Sequence, residues 1–265
     1  MEPKGFTEYL MYSTALIETK NGRGTGFFFA FEKNDKTYPI LVTNQHVLNY
    51  NSQETVNLKI HIIDENKIRS NLEIEFKTEW VFHHKQDLAF CFVNPFFETI
   101  KQQLNKEVFY VPIQQSFIYS DDMLQELSAV EETIMAGYPI GLSDEHNNYP
   151  IFRKGITASH PALDFNNTNV GLVDMACFPG SSGSPIFIIN ENGYSDKNGN
   201  HYLGRKRIIF LGVLYSGPIM NASGKIEVRE IPTVHEAYSN TQIMINLGYY
   251  IKAEELLNLL EKTIK

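Results

Sequence analysis

The segment FPGSSGSPIF, residues 178–187, places three serines between a Pro-Gly pair and a further proline. A serine that attacks an acyl carbon needs a tight turn and backbone N–H donors for the oxyanion, typically its own N–H and that of the residue two positions earlier. For Ser181 the second donor would fall on Pro179, which has no N–H, so Ser181 is excluded. For Ser182 the second donor falls on Gly180, which can turn its N–H inward at little steric cost.

Ser184 is the weaker candidate in the same loop. Pro185 follows it and favours an extended backbone, as at the start of a strand. A Gly-x-Ser-Gly loop alone is more often structural, because Gly and Ser populate turns for conformational reasons. The assignment of Ser182 as a nucleophile therefore requires a base and a carboxylate elsewhere in the chain.

Two further residues stand where such partners are needed. YPILVTNQHVL places His46 just beyond an apolar strand, where a loop side chain can face a cleft, and HKQDLAFCF places Asp87 at the entrance to a buried strand. A carboxylate there is costly without a hydrogen-bonding partner, and it could orient a histidine. Each residue also has a purely structural interpretation: His46 as a hydrogen-bonded loop histidine, and Asp87 as a strand-initiating aspartate.

A metal or cofactor site is not indicated. His83 and His84 with Asp87 could suggest a metal cluster, but no further ligand spacing supports a closed site. We expect neither a metal nor a cofactor.

Composition limits the class of protein. The 265 residues are 43% hydrophobic and 20% charged, which is enough for one domain or two small ones. The net charge of -8 is spread along the chain without a basic stripe, so nucleic acid is not an expected partner. We find no apolar run near the length of a membrane span and no signal peptide. Cys91 and Cys177 have apolar neighbours, which fits reduced thiols and a cytoplasmic location.

Short segments rich in β-branched and aromatic residues form two sets. They are STALIETK, GTGFFFAF, YPILVTN, TVNLKIHII, NLEIEFKT and LAFCFV, then TIMAGYPI, IFRKGITAS, VGLVDMA, SPIFIIN, RIIFLGVLYSG and KIEVREI. The pattern predicts an all-β fold with two six-stranded antiparallel β-barrels. We expect residues 1–115 to form the N-terminal barrel with His46 and Asp87. Residues 116–265 would form the rest of the linker, the C-terminal barrel with Ser182, and a helix.

Helical spacing occurs between the two sets and at the end of the chain. In the linker, Phe97, Ile100 and Leu104 are spaced as on a helix, and Ser120 could be the N-cap of a second one. IKAEELLNLLEKTIK carries one apolar face, which predicts a C-terminal helix docked on the second barrel. The long, partly helical linker leaves room for a regulatory partner.

Together, the chain order His46, Asp87, Ser182 resembles that of the chymotrypsin-like serine peptidases. The strings GTGFFF, LVTNQHVL, DLAF, AGYPIGL, GITAS and DMACFPGSSGSPIF resemble the bacterial HtrA-like and glutamyl-endopeptidase-like branches, in the same order, from about residue 24 to residue 217. The resemblance implies two barrels and a serine endopeptidase that acts on polypeptides through an acyl-enzyme. It also implies an oxyanion hole formed by Gly180 and Ser182. No PDZ domain is expected.

The resemblance implies a substrate pocket with Ala176 at its floor and Tyr215, Ser216 and Gly217 as one wall. The side chain before the scissile bond (P1) should therefore be neutral, although Asp174 lies nearby in sequence. Tyr215 stands where the glutamyl-endopeptidase branch has a histidine, so specificity for glutamate is not favoured. Ser181 replaces the aspartate that receives a new N-terminus in the digestive branch, so activation by that route is not expected.

Two other functions remain open at this stage. A catalytically silent two-barrel module could bind partners without turnover. A chaperone-like or scaffold role could use the long linker. A fluorophosphonate probe distinguishes both from an enzyme, because it labels only an activated serine.

Overall fold

The computed structural model describes residues 2–226 and 237–264, and strands dominate its secondary structure. All six strands expected before residue 94 are present. The N-terminal half contains β1 Thr14–Glu18, β2 Arg23–Lys33, β3 Lys36–Thr43, β4 Thr55–Ile63, β5 Arg69–Lys77, β6 Val81–Phe82, β7 Ala89–Phe92, β8 Glu107–Val108 and β9 Ile113–Gln114.

The C-terminal half contains the remaining strands. These are β10 Glu132–Gly137, β11 Ile151–Thr157, β12 Val170–Asp174, β13 Pro185–Asn190, β14 Gly193–Ser195, β15 His201–Leu203, β16 Arg207–Ser216, β17 Ile219–Ile226, β18 Ala237–Met244 and β19 Leu247–Lys252. The helices of the described chain are α1 Phe6–Leu10, α2 Asn94–Leu104, α3 Asp121–Gln125 and α4 Ala253–Thr263.

The C-terminal half forms a closed barrel with the strand order β10-β11-β12-β19-β16-β13. Its sixth strand differs from our prediction. We expected KIEVREI, residues 225–231, but residues 225 and 226 belong to β17, which pairs with β18 in a separate hairpin, and residues 227–231 lie outside the described part. The barrel is closed by β19, whose Tyr250 and Ile251 are buried between β12 and β16.

The N-terminal half forms a sheet of nine strands in place of the six-stranded barrel that we predicted. Its order is β5-β4-β1-β2-β3-β7-β6, with β8 on β4 and β9 on β2. Within the described ranges, no ladder joins β5 to β6 and closes this sheet. Closure needs continuous hydrogen bonding around the barrel, and β6, with only two residues, offers few donors and acceptors for it.

One buried core joins the two halves. Phe27 of β2 lies 5.5 Å from Phe210 of β16, measured between ring centroids, and Phe210 lies 5.2 Å from Phe187 of β13. The same cluster includes Leu256 and Leu260 of α4, both fully buried. Because aromatic residues from both halves interdigitate here, this core fixes the loops of one half against those of the other.

The helices follow the predicted segments with one difference in the buried face. α2 buries Phe96 and Ile100, whereas Leu104, which stands at helical spacing with Phe97 and Ile100, is 43% exposed. Ser120 precedes α3 with an extended backbone, but its side chain makes no capping hydrogen bond. α4 packs on the shared core as expected. No helix in the described part of the chain is both long and apolar enough to cross a membrane.

Candidate active site

His46 begins a short 3₁₀ turn, His46–Leu48, which starts three residues after the end of β3. The preceding Asn44 side chain donates through Nδ2 to the Asp87 carbonyl oxygen at 2.6 Å. Asn44 is fully buried, so this bond ties the end of β3 to the segment before β7. Adjacent strands of one sheet thus bring His46 and Asp87 together, although 41 residues separate them.

Two hydrogen bonds join His46 to the Asp87 carboxylate. The His46 backbone N–H donates to Oδ1 at 3.0 Å, and Nδ1 lies 2.5 Å from Oδ2. An ionised carboxylate only accepts hydrogen bonds, so the Nδ1 atom carries the proton. The Nε2 atom is then free to accept a proton, as a general base must.

The loop that carries Ser182 depends on two glycines. Gly180 and Gly183 have φ values of +88° and +87°, which side chains rarely adopt. A Cβ at Gly180 would lie 2.6 Å from the Tyr138 carbonyl oxygen, and one at Gly183 would overlap the Thr25 carbonyl oxygen. Only glycine fits both positions without displacing the backbone.

The backbone N–H groups of this loop divide into two sets. Those of Ser181, Gly183 and Ser184 donate to the carbonyl oxygens of Phe178, Leu214 and Ser181 at 3.0, 2.7 and 3.0 Å. Those of Gly180 and Ser182 have no acceptor among the described residues. Because Gly180 and Ser182 are partly exposed, these two N–H groups are available to bind an oxyanion that approaches from solvent.

The Pro179 carbonyl explains why this site stays open. It accepts a hydrogen bond from the Ile140 N–H, and it is therefore turned away from the N–H groups of Gly180 and Ser182. The donors are thus free to face a reacting carbonyl oxygen.

The three serines differ in access to solvent. Ser181 and Ser184 are fully buried, whereas Ser182 is partly exposed. The Ser182 hydroxyl donates to the Tyr215 carbonyl oxygen at 3.4 Å, and no hydrogen bond links it to His46 within the described residues. The structure thus joins His46 to Asp87 directly and brings Ser182 to the same region through Thr25.

Thr25 of β2 was not identified from the sequence, because one threonine in a strand carries no local signal. Its N–H donates to the Ser182 carbonyl oxygen at 2.8 Å, and its own carbonyl oxygen accepts from the Thr43 hydroxyl, also at 2.8 Å. Thr43 ends β3, three residues before His46. Thr25 therefore bonds both the serine loop and the strand that leads to His46.

The predicted pocket residues lie close to this site. Tyr215 is at a register shift in β16, and its pKa is raised by burial and by the nearby Tyr249 and Asp87. A Cβ at Gly217 would lie 3.9 Å from the Cβ of Cys177, the residue after Ala176. Ala176 and Gly217 are partly exposed, and Ser216 is exposed. Gly217 thus lies near Cys177, the chain neighbour of Ala176.

A histidine bonded to a carboxylate, and a serine in a turn that requires glycine, are features found in serine hydrolases. The family model of the trypsin-like peptidase domain matches residues 24–193, which is more than half of the chain. The chain belongs to this family, and it is an enzyme of the serine protease class.

Several solved structures are similar over most of the chain. The inactive form of a mutant Rv3671c from M. tuberculosis H37Rv has 14% identity and a TM-score of 0.44, covering 96% of this chain and 87% of its own. The scabies mite inactivated protease paralogue S-I1 has 9% identity and a TM-score of 0.46, with coverage of 96% and 95%. A Glu endopeptidase has 14% identity and a TM-score of 0.42, with coverage of 96% and 92%. No curated protein sequence matches significantly.

Proposed function

We propose that the chain is a serine endopeptidase with His46, Asp87 and Ser182 as its catalytic triad. The observation that carries this proposal is that the N–H groups of Gly180 and Ser182 have no acceptor among the described residues, whereas those of Ser181, Gly183 and Ser184 beside them are bonded. Both residues are partly exposed, so a substrate carbonyl oxygen can approach these two donors.

In the proposed mechanism, His46 Nε2 takes the proton of the Ser182 hydroxyl as its oxygen attacks a peptide carbonyl. The long 3.4 Å bond from that hydroxyl to the Tyr215 carbonyl is weak and is exchanged for a bond to His46. Asp87 stabilises the imidazolium, and the N–H groups of Gly180 and Ser182 bind the oxyanion. His46 then protonates the leaving amine, and water hydrolyses the acyl-enzyme.

The pocket is proposed to take a neutral P1 side chain. Ala176 at its floor is small, and Tyr215, Ser216 and Gly217 supply no carboxylate. The substrate backbone would pair with this wall as an added strand. The polypeptide itself is therefore the substrate class, with apolar burial of the P1 side chain as the main source of selectivity.

The decisive experiment is alanine substitution of each loop serine, followed by fluorophosphonate labelling and peptide hydrolysis. We expect Ser182→Ala to abolish labelling and to reduce turnover by several decades, on the order of a millionfold where the triad acts as a unit. Ser181→Ala and Ser184→Ala are matched controls from the same loop and should retain most activity. A folded Ser182→Ala protein that is still labelled would overturn the assignment. An unlabelled wild-type protein would favour the catalytically silent binding module.

A further inference from the structure

The turn from His83 to Leu88 carries Asp87, and the side chain of His83 lies inside it. That side chain is only 3% exposed. Its Nδ1 atom accepts hydrogen bonds from the backbone N–H groups of Lys85 and Gln86 at 3.2 and 2.8 Å. The imidazole therefore closes the turn from within, one residue before Asp87.

The opposite side of the His83 ring reaches the C-terminal helix. Its Nε2 atom lies 3.3 Å from Oε2 of Glu255, in the first turn of α4. Because Nδ1 accepts two hydrogen bonds, the proton of the neutral imidazole must be on Nε2. Nε2–H therefore lies beside the Glu255 carboxylate, in an electrostatic contact that lacks the geometry of a hydrogen bond.

Glu255 is itself held from two sides. Its Oε1 atom accepts from Asn169 Nδ2 at 2.9 Å and from Asn258 Nδ2 at 3.3 Å. The Gln86 side chain donates to the neighbouring Thr168 carbonyl oxygen at 3.0 Å. The Asp87 turn is thus hydrogen-bonded to the loop before β12 and in electrostatic contact with α4, and both of these elements belong to the C-terminal half.

The other face of the turn is fixed by the residue next to His46. Nε2 of Gln45 donates to the carbonyl oxygens of His83 and Gln86 at 2.6 and 2.9 Å. The turn is therefore supported by the N-terminal half through Gln45 and by the C-terminal half through His83.

We propose that His83 is a positioning residue, which, with Glu255, holds Asp87 in place against His46. This inference rests on the proposed function, because it takes Asp87 as the orienting carboxylate of the triad. In this arrangement, α4 supports the catalytic geometry as well as the core. Each nitrogen of the His83 ring has its own partner, so substitutions at His83 can separate the contributions of Nδ1 and Nε2.

The support that His83 gives to Asp87 depends on pH. Burial lowers the pKa of His83, Glu255 raises it, and the nearby charges of His84, Lys262 and Lys85 lower it further. Protonation places a hydrogen on Nδ1 and turns this acceptor into a donor, so the bonds from Lys85 and Gln86 are lost. The support of Asp87 is therefore present with neutral His83 and is lost as the pH falls through the lowered pKa.

The test is a set of substitutions at His83 with steady-state kinetics. We expect His83→Ala to reduce kcat about 10- to 100-fold with KM nearly unchanged, because a misplacement near 1 Å has this effect on chemistry but not on binding. His83→Asn should restore much of kcat, since its side-chain oxygen can accept from the same turn N–H groups. His83→Gln should not, because its amide extends beyond the turn.

His160 provides a matched control. Its Nδ1 atom accepts from the Ala162 N–H at 3.2 Å, so it closes a similar turn, but one that carries no predicted site residue. His160→Ala should leave kcat unchanged. The pH profile of kcat adds a second readout, because His83→Asn should show a smaller acid-side loss than the wild-type protein and the His160 variant.

The outcomes separate this inference from the proposed function. Suppose that the protein requires Ser182 for activity, and that the Ala, Asn and Gln variants at position 83 have equal kcat values. The role of His83 would then be overturned, and the proposed function would stand. If the wild-type protein shows no turnover, the proposed function fails, and NMR of the His46 Nδ1 proton still tests the link to Asp87. That resonance should be sharp in the wild type and broadened in His83→Ala; an unchanged resonance would contradict the inference. If His83→Ala does not fold, the comparison of Asn with Gln decides.

Discussion

A single hydroxyl, that of Thr25, bonds three parts of the candidate site. It donates to the Gly180 carbonyl oxygen at 3.1 Å and accepts from the Tyr138 N–H and the Ser184 hydroxyl at 3.1 and 3.2 Å. A threonine hydroxyl has one proton and two acceptor sites, so all its capacity is used. With Thr25 fully buried, water cannot replace a lost bond.

Thr25→Val should therefore destabilise the protein and lower its activity. The change leaves the Tyr138 N–H and the Gly180 carbonyl without a partner, and an unpaired buried polar group costs about 1–3 kcal/mol. Urea titration measures the free energy of unfolding, and kcat/KM reports the effect of the change on the Gly180 turn. Thr25→Ser keeps the hydroxyl and should retain most of both quantities. A valine variant as stable and as active as the wild type would show that the hydroxyl has no such role.

At the scale of elements, two strands control the charge around the predicted pocket. Asp174 ends β12 and is exposed, so water can solvate its carboxylate without a partner in the pocket. Arg153 of β11 lies with its guanidinium carbon 4.8 Å from the centre of the Phe178 ring, and its charge also acts on Cys177. Burial raises the pKa of the Cys177 thiol to about 11, so this residue is neutral at pH 7.

This distribution predicts cleavage after neutral, aliphatic or small aromatic residues. A P1 Arg or Lys would lose its hydration without an ion partner, at a cost of several kcal/mol, and would be repelled by Arg153. Cleavage profiles from a peptide library provide the measurement. Asp174→Asn should leave the profile unchanged, whereas Arg153→Gln should weaken the exclusion of basic residues. Efficient cutting after Arg or Lys by the wild type, lost in Asp174→Asn, would mean that the carboxylate lies in the pocket.

At the scale of the whole molecule, the two halves are held together by the shared core and by the polar contacts around Glu255. We retain the proposal that residues 1–115 and 116–265 form its two units. The division falls one residue after β9, which pairs with β2 of the N-terminal sheet. The interface between the units is apolar at Phe27 and Phe210, so we expect them to unfold together.

Stability should depend on pH through His61. This residue of β4 is buried beside the ring of Tyr12, with 4.9 Å between ring centroids. Burial lowers its pKa to about 4. Between pH 6.5 and about 4, the unfolded chain binds a proton that folded His61 does not, so stability is lost as the pH falls, by up to about 3 kcal/mol.

Urea unfolding at several pH values tests this expectation. His61→Gln removes the titrating group, so its stability should fall less between pH 7 and pH 4.5 than that of the wild type. His146→Gln, at an exposed position, is the control and should follow the wild-type curve. Parallel curves for all three proteins would exclude His61 as the source of the pH dependence.

The sequence alone determined what depends on local chemistry. Runs of β-branched and aromatic residues predicted the six strands before residue 94, and one apolar face predicted α4. The missing N–H of Pro179 is a covalent property, so the preference for Ser182 over Ser181 needed no coordinates. The family motifs similarly indicated the trypsin-like peptidase class.

Tertiary structure alone decided which distant segments meet. The sixth barrel strand is β19, because Tyr250 and Ile251 are buried between β12 and β16, and no local pattern distinguishes this strand from KIEVREI. Thr25 and Glu255 bond to residues more than 80 positions away, and neither has a distinctive neighbourhood in the sequence. Within the described ranges, no ladder closes the N-terminal sheet, which the strand pattern alone did not reveal. Periodicity reports the face that a residue presents, whereas its partner depends on the packing of the whole chain.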